Sequence, residues 1–268
     1  MREHYKVFFG FKKEPFTQDI RVEDMMKSPS LLGVKDRFLY AVNLGAIAVI
    51  TGDVGSGKSS ALRFASSTLH PSEYLVLYIT ATSGTIIELY KQICHALNIE
   101  VTSSSKAILS RMIKSCIMEL VNKKERPVLI IDEASLIRLD VFSELHTLVQ
   151  FEGDSKAVLP LVLSGQNNLM DNLMFRQSRP LASRVVARGH MESLTAEDMT
   201  LYLQHHQNIA GCKKNLFSEQ SATAIHQGSG GLLRRANNLA RGSLVAAAAE
   251  KCTVVSAEHV RIASTEII

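Results

Sequence analysis

The stretch Gly52-Asp53-Val54-Gly55-Ser56-Gly57-Lys58-Ser59 decides the fold of this chain. It satisfies the pattern G-x-x-x-x-G-K-[ST] of the P-loop. The apolar run 46–50 before it predicts a buried strand, and residues 60–65 after it predict a helix. Glycines let the backbone form a nest of N–H donors around phosphate oxygens, and the helix N-terminus adds partial positive charge. The stretch therefore predicts a nucleotide site in a strand–loop–helix unit.

Individual residues of this stretch have predicted roles. Lys58 is expected to reach the β- and γ-phosphates of ATP, and the Ser59 hydroxyl is expected to ligate Mg²⁺. The residues predicted to bind the nucleotide here are Gly52, Asp53, Val54, Gly55, Ser56, Gly57, Lys58, Ser59 and Ser60.

A second motif supports the first. Residues 127–133 form an apolar run that ends in Asp132 and Glu133, which is the Walker B form. Asp132 is predicted to hold Mg²⁺ through water, and Glu133 to orient and polarise the attacking water. The alternative is a strand end with two merely solvated acids, and the upstream P-loop favours the catalytic interpretation.

Later polar residues are predicted to complete the site. The apolar run 158–165 predicts a further buried strand, and Gln166 at its end is placed to contact the γ-phosphate or the water. A ring or filament of such ATPases needs an arginine from the neighbouring subunit. Arg184 is our choice for this arginine finger, with Arg179 as the alternative.

From Ser193 onward the pattern becomes helical. Helices are predicted over 196–210, 219–227, 231–250 and 257–264. Arg234 and Arg235 lie in the first turn of the third of these helices, where cations oppose the helix dipole. This cost is understandable if one arginine points at a phosphate; a pair of surface arginines is the alternative.

Two other groups of residues have open interpretations. The rings of the first 20 residues, among them Phe11, form either a satellite core or an apolar slot for the purine ring. A basic set on and after a predicted helix over 106–121 is either a solvated face or a surface for DNA. The members of this set considered for DNA are Arg111, Lys114, Lys123 and Lys124.

Composition limits the class of protein. The chain has 268 residues, of which 46% are hydrophobic, so a packed core is expected. The net charge of +4 permits a nucleic-acid partner without requiring one. Four cysteines lie far apart and without a C-x-x-C pair, and each lies in a helical-looking segment, which predicts buried free thiols. We expect a cytoplasmic protein without membrane association, because no signal peptide or membrane-spanning run is visible.

Together these motifs resemble those of AAA+ ATPases. More closely, they are similar to the ExeA-type ATPases of general secretion and to transposition ATPases of the TniB, TnsC, IstB and MuB type. The resemblance covers nearly the whole chain and is carried by the segments 8–16, 52–59, 130–134, 163–166 and 230–234. Ser135 departs from the pattern, since ExeA-type proteins often have Gln there.

The resemblance implies an α/β fold with a parallel sheet flanked by helices, followed by a helical lid. We expect an AAA+ nucleotide-binding domain over residues 1–192, including the aromatic N-terminal segment, and a lid over 193–268. Gln166 matches the sensor-1 position, Arg234 the sensor-2 arginine, and an arginine near 184 the finger.

The resemblance also implies functions. We expect an ATPase that uses ATP and Mg²⁺, forms a homo-oligomeric ring or filament, and binds double-stranded DNA non-specifically when ATP is bound. A transposition helper that acts with a transposase is favoured, because the chain ends at Ile268 without the further modules of secretion members. The alternatives are a secretion-assembly ATPase and a nucleotide-dependent scaffold with little turnover.

Overall fold

The computed structural model describes residues 2–265. Its five strands are β1 (Ile47–Gly52), β2 (Tyr74–Thr80), β3 (Arg126–Asp132), β4 (Leu161–Gly165) and β5 (Val185–Met191). Its helices are α1 (Arg2–Phe9), α2 (Pro29–Leu44), α3 (Lys58–Ser66), α4 (Ile86–Ala96), α5 (Lys106–Asn122), α6 (Leu139–Leu148), α7 (Asn168–Met174), α8 (Arg179–Ala182), α9 (Ala196–Ile209), α10 (Glu219–Ser229), α11 (Leu233–Ala249) and α12 (Ala257–Thr265). The chain divides into two compact units.

The α/β unit comprises residues 28–52 and 58–191. Its strands form one parallel sheet in the order β2-β3-β4-β1-β5. All six residues of β1 are buried, as are six of the seven in β3, because helices cover both faces of such a sheet. The predicted parallel sheet flanked by helices is therefore confirmed.

Strand β5 was not predicted from the sequence. It pairs with β1 at the edge of the sheet, and its side chains alternate between buried and exposed positions. Ala187, Gly189 and Met191 are buried, whereas Arg188 and His190 are exposed. The polar residues interrupt the kind of apolar run by which β1, β3 and β4 were recognised.

Local sequence explains where several helices begin. Helix α2 begins after Ser28, whose side chain accepts a hydrogen bond from the Leu31 N–H, and Pro29 occupies the first helical position. Helix α4 begins with a capping box in which Thr85 and Glu88 satisfy each other's backbone N–H groups. These caps supply partners for backbone donors that the helix itself leaves unpaired.

The helical unit comprises the residues up to 27, residues 53–57 and the residues from 192 onward. Its core joins the N-terminal rings to α9, α10, α11 and α12. Phe16 is 1% exposed, stacks on His206 at a ring-centroid distance of 5.2 Å and meets Phe217 edge-on. The expected grouping of the aromatic N-terminal segment with the α/β domain is corrected here, because its rings pack against the helices of this unit.

Two further observations concern the described residues as a whole. None of their helices combines the length and the apolar character needed to cross a membrane. All four cysteines are free thiols; Cys94 and Cys212 are buried as predicted, whereas Cys116 and Cys252 are only half-buried.

Candidate nucleotide-binding site

The lysine of the P-loop lies at the start of α3. Lys58 is 6% exposed, and its Nζ donates a hydrogen bond to the carbonyl of Gly52 at 2.9 Å. This bond spans the loop within the α/β unit and fixes the ammonium group beside the end of β1. A cation so placed is suited to binding phosphate oxygens.

Residues 53–57 of the loop belong to the helical unit. Gly55 and Gly57 have φ angles of 83° and 101°, a left-handed conformation that glycine adopts without strain. The backbone N–H of Arg234 donates to the Gly55 carbonyl at 3.1 Å. A Cβ on Gly55 would lie 3.0 Å from the Cβ of Arg234, so the start of α11 requires glycine at this position.

Asp132, at the end of β3, accepts four hydrogen bonds. Its Oδ2 accepts from the Ser59 hydroxyl and from the Tyr78 phenol, each at 2.6 Å. Its Oδ1 accepts from the Ser164 hydroxyl at 2.8 Å and from the Glu133 N–H at 2.9 Å. The predicted metal pair Ser59 and Asp132 is thus in direct contact. The cluster draws on β2, β3, β4 and α3.

These donors set the charge state of Asp132. Burial by itself would raise the pKa of this carboxyl, since it disfavours the ionised form. The hydrogen bonds from Ser59, Tyr78, Ser164 and the Glu133 N–H outweigh burial and hold the pKa below its usual value. Asp132 is therefore a carboxylate at neutral pH, and a carboxylate beside a hydroxyl is the hard oxygen set that Mg²⁺ prefers.

Glu133 directly follows the strand. Its φ angle of 54° places it in the left-handed region, which non-glycine residues rarely adopt. The residue is half-buried. Its backbone N–H donates to Asp132, and within residues 2–265 its carboxylate makes no hydrogen bond to the donors around Asp132. This backbone conformation turns the chain sharply at the residue predicted to orient water.

Gln166 follows β4 and is exposed. Its N–H donates to the Ser135 hydroxyl at 3.3 Å, which joins the end of β4 to the loop after β3. A Cβ on Gly165 would lie 2.8 Å from the Ser135 backbone nitrogen, so the two segments approach as closely as glycine allows. Ser135, first noted only as a departure from the family pattern, therefore connects the two segments.

The predicted arginine finger has partners in its own chain. Arg184 donates to the Pro180 carbonyl at 2.5 Å and forms a salt bridge with Asp154 at 2.6 Å. Arg179, the alternative, is exposed at the start of α8. Neither observation tests a role in a neighbouring subunit, and the finger stays a prediction.

Phe11 lies in the core of the helical unit. It is 8% exposed, with its ring 6.4 Å from that of Tyr5 and 6.2 Å from that of Phe9. These contacts account for its core role, while its predicted contact with the purine ring remains untested. Arg234 is exposed in the first turn of α11.

A separate group of metal-ligand types, Glu250, Cys252 and His259, lies in the helical unit. The His259 Nδ1 accepts the Ser256 N–H at 2.9 Å, so the proton of the neutral ring sits on Nε2. That Nε2 donates to the Glu250 carboxylate at 3.0 Å. Because both ring nitrogens are engaged, the group fixes the start of α12 rather than offering a free ligand.

Three residues of the site were not identified from the sequence. Tyr78 and Ser164 both donate to Asp132, and Ser135 accepts from Gln166. Ser164 follows an apolar run just as Asp132 does, which is a usable signal. The strand register that brings Tyr78 to Asp132 has no such local signal.

Comparison with known proteins gives a family match over part of the chain. Residues 43–173 match the family model described as an AAA domain. With the five-stranded parallel sheet, this match and the structural neighbours below confirm that the fold is that of an AAA+ P-loop NTPase.

A known protein aligns with nearly the whole chain. The chain is 27% identical over 272 residues to general secretion pathway protein A of Aeromonas hydrophila. This match covers 98% of the chain and 48% of the relative, so the chain spans about half the length of that protein.

Solved structures with the same fold include Cdc6p and ORC proteins. Cdc6p of Pyrobaculum aerophilum superposes with a TM-score of 0.74 at 18% identity, covering 94% of this chain and 70% of that one. ORC2 of Aeropyrum pernix, in ADPNP and ADP complexes, gives 0.71 at 15% identity over 96% and 72%. ORC1 of Aeropyrum pernix, solved in complex with DNA, gives 0.67 at 17% identity over 96% and 70%.

Proposed function

We propose that this protein is an ATPase that binds Mg²⁺·ATP at the P-loop. The observation that carries the proposal is the contact between the Ser59 hydroxyl and the Asp132 carboxylate, with Lys58 buried at the start of the same helix. This is the arrangement in which a serine and an acid flank a Mg²⁺ ion beside the phosphates. When bound, Mg²⁺ would neutralise charge on the β- and γ-phosphates.

The residues have distinct roles in this proposal. Lys58 binds the β- and γ-phosphates, Ser59 and Asp132 hold the Mg²⁺ ion, and the loop N–H groups cradle the phosphates. Glu133 accepts a proton from the attacking water and orients it. Gln166 contacts the γ-phosphate or this water from the end of β4. The Ser135 bond fixes the backbone that carries Gln166.

Two arginines are proposed to report on the γ-phosphate. Arg234 acts in its own subunit, and the bond from its N–H to Gly55 supports a place beside the loop. For the finger supplied to a neighbour, the exposed Arg179 is the better candidate, because Arg184 would first have to break its contacts with Asp154 and Pro180.

We further propose ATP-dependent, non-specific binding of duplex DNA by a homo-oligomer, in support of a transposase. ORC1 of Aeropyrum pernix, which has this fold and was solved in complex with DNA, supports the nucleic-acid partner. Arg111, Lys123 and Lys124 are exposed on and after α5. Lys114 is removed from the proposed surface, since its Nζ donates to the Gln150 carbonyl at 2.9 Å and lies over the Phe151 ring.

A second candidate is a secretion-assembly ATPase. The similarity to general secretion pathway protein A over 98% of the chain favours it. The two candidates share the ATPase chemistry and differ in the partner. Binding of duplex DNA therefore decides between them.

The experiment measures retention of duplex DNA and ATP turnover together. The transposition proposal expects tight, salt-sensitive retention with a non-hydrolysable ATP analogue and weak retention without nucleotide. Lys123→Ala with Lys124→Ala should weaken binding of all duplexes about equally and flatten the salt dependence. The adjacent exposed pair Lys213 and Lys214, changed in the same way, is the matched control. If no duplex is retained at low salt while ATP is hydrolysed, the secretion candidate replaces the transposition candidate.

A further inference from the structure

Tyr78 contacts the predicted metal site from the neighbouring strand β2. In the pairing of β2 with β3, Tyr78 lies opposite Ile130, and Thr80 lies opposite Asp132. Ile130 and Asp132 are two apart on β3 and share a face of the sheet. The Tyr78 side chain therefore extends along that face past Ile130 to reach Asp132, since two residues of a strand span about 6.6 Å. Its hydroxyl donates to the Asp132 Oδ2 at 2.6 Å.

The position of Tyr78 offers its hydroxyl an alternative to this hydrogen bond. The Tyr78 side chain lies on an edge strand, and the residue is 42% exposed. The hydroxyl is partly buried beside Asp132, and a change of rotamer on this exposed edge would bring it to water. The bond to Asp132 is therefore a property of the site rather than a requirement of buried packing.

The acceptor capacity of Asp132 is fully used. A carboxylate offers about four lone-pair positions. Four donors take them, namely the hydroxyls of Ser59, Tyr78 and Ser164 and the Glu133 N–H. Waters on a Mg²⁺ ion also donate to carboxylates, so they compete for the same positions.

The four donors differ in how readily they can leave. Ser164 is fully buried, and the Glu133 N–H is fixed by the chain, so Oδ1 stays occupied. Ser59 would leave Oδ2 if its oxygen ligated a Mg²⁺ ion. Tyr78 is then the donor that still occupies Oδ2, and it can turn to solvent.

We propose, resting on the ATPase function above, that Tyr78 is a positioning residue that holds the Asp132 carboxylate and competes with Mg²⁺ for it. Binding of Mg²⁺·nucleotide displaces the phenol from Oδ2. Tyr78 thereby sets the Mg²⁺ concentration at which the site fills, without touching the nucleotide.

The test is a Mg²⁺ titration of fluorescent ADP binding to the full chain. Tyr78→Phe should reach half-saturation at a Mg²⁺ concentration about three- to tenfold lower than the wild type, as expected for losing one competing hydrogen bond. Tyr74→Phe is the matched control on the same strand, because its hydroxyl faces Arg126 instead. Its Mg²⁺ dependence should equal that of the wild type.

Tyrosine emission gives an independent readout, because the chain has six tyrosines and no tryptophan. A phenol bonded to a carboxylate emits weakly, since its excited state loses the proton to that acceptor. Adding Mg²⁺ and ADP should raise the emission of the wild type and of Tyr74→Phe, but not that of Tyr78→Phe.

The outcomes separate the two proposals. Nucleotide binding by the wild type with an unchanged or higher Mg²⁺ requirement in Tyr78→Phe would overturn the role of Tyr78 alone. Failure of the wild type to bind ADP at any Mg²⁺ concentration would overturn the ATPase function and this inference with it.

Discussion

Gly165 and Ser135 approach so closely that no methyl group fits between them. A Cβ on Gly165 would lie 2.8 Å from the Ser135 nitrogen and 3.2 Å from its Cβ. The next residue, Gln166, donates its N–H to the Ser135 hydroxyl. The close approach therefore sets the position of the residue predicted to contact the γ-phosphate.

Gly165→Ala should both destabilise the fold and slow ATP turnover. The clash is with backbone, so the strand or the loop has to move, at about 1–3 kcal/mol. Chemical denaturation and steady-state turnover are the measurements. Gly33→Ala is the control, since its Cβ in α2 would meet only the mobile end of Arg37. Wild-type turnover in a folded Gly165→Ala protein would contradict the positioning role.

Lys58→Ala should weaken ATP binding by about 10- to 100-fold, as expected for losing a charged hydrogen-bond donor to phosphate. Equilibrium binding of a fluorescent ATP analogue measures the effect, and circular dichroism checks that the variant is folded. Lys91→Ala, which removes a lysine bonded to Ser104 on the surface, should bind like the wild type. Unchanged affinity in Lys58→Ala would show that the nucleotide binds elsewhere.

Glu133→Gln should slow hydrolysis by roughly a hundredfold or more while ATP binding persists, because the amide keeps the shape and loses the basic oxygen. Single-turnover hydrolysis and nucleotide affinity are measured on the same preparation. Glu125→Gln, the same chemical change on the loop before β3, serves as the control. Turnover at the wild-type rate would remove Glu133 from the mechanism.

Subunits with different defects should complement each other if an arginine acts in trans. Mixing Arg179→Ala with Lys58→Ala subunits should restore part of the turnover, since one lacks the finger and the other lacks the site. Arg184→Ala should mainly lose a partly exposed salt bridge to Asp154, worth less than about 1 kcal/mol. If mixing with Lys58→Ala subunits restores turnover for Arg184→Ala but not for Arg179→Ala, Arg184 is the finger.

His206 should make the helical unit acid-labile. Burial, with a smaller contribution from His205, lowers the pKa of His206 from 6.5 to about 3. Between these values the unfolded chain binds a proton that the folded protein does not, so stability falls as the pH falls from about 6.5 towards 3. The slope is about 1.4 kcal/mol per pH unit for one proton.

His206→Phe tests this pH dependence by removing the titrating group while retaining an aromatic ring against Phe16. Its unfolding free energy should depend less steeply on pH between about 4 and 6 than that of the wild type. Equal slopes in His206→Phe and the wild type would contradict a neutral buried His206.

The sequence predicted the parts of this protein that local patterns encode. Strands β1, β3 and β4 were recognisable as apolar runs, and α9 to α12 by their helical period. The contact of Ser59 with Asp132 followed from two motifs 73 residues apart. The bond from Tyr78 could not be predicted, because it depends on the register between β2 and β3.

Long-range contacts also explain the errors. Lys114 has the spacing of a basic surface residue on α5, but Gln150, 36 residues away, accepts its ammonium hydrogen bond, and burial lowers its pKa. The rings of the N-terminal segment pack against helices almost 200 residues later. Neither neighbour can be inferred from residues nearby in the chain.

Strand β5 has a consequence for solubility. It pairs with β1 on one side, and within residues 2–265 no strand of the sheet pairs with its other side. An open edge of this kind can add a strand from another molecule and begin aggregation. Arg188 and His190 are exposed at alternate positions of β5. A cationic arginine there disfavours such pairing. The polar residues that break the apolar pattern of this strand therefore also oppose the addition of a further strand to the sheet.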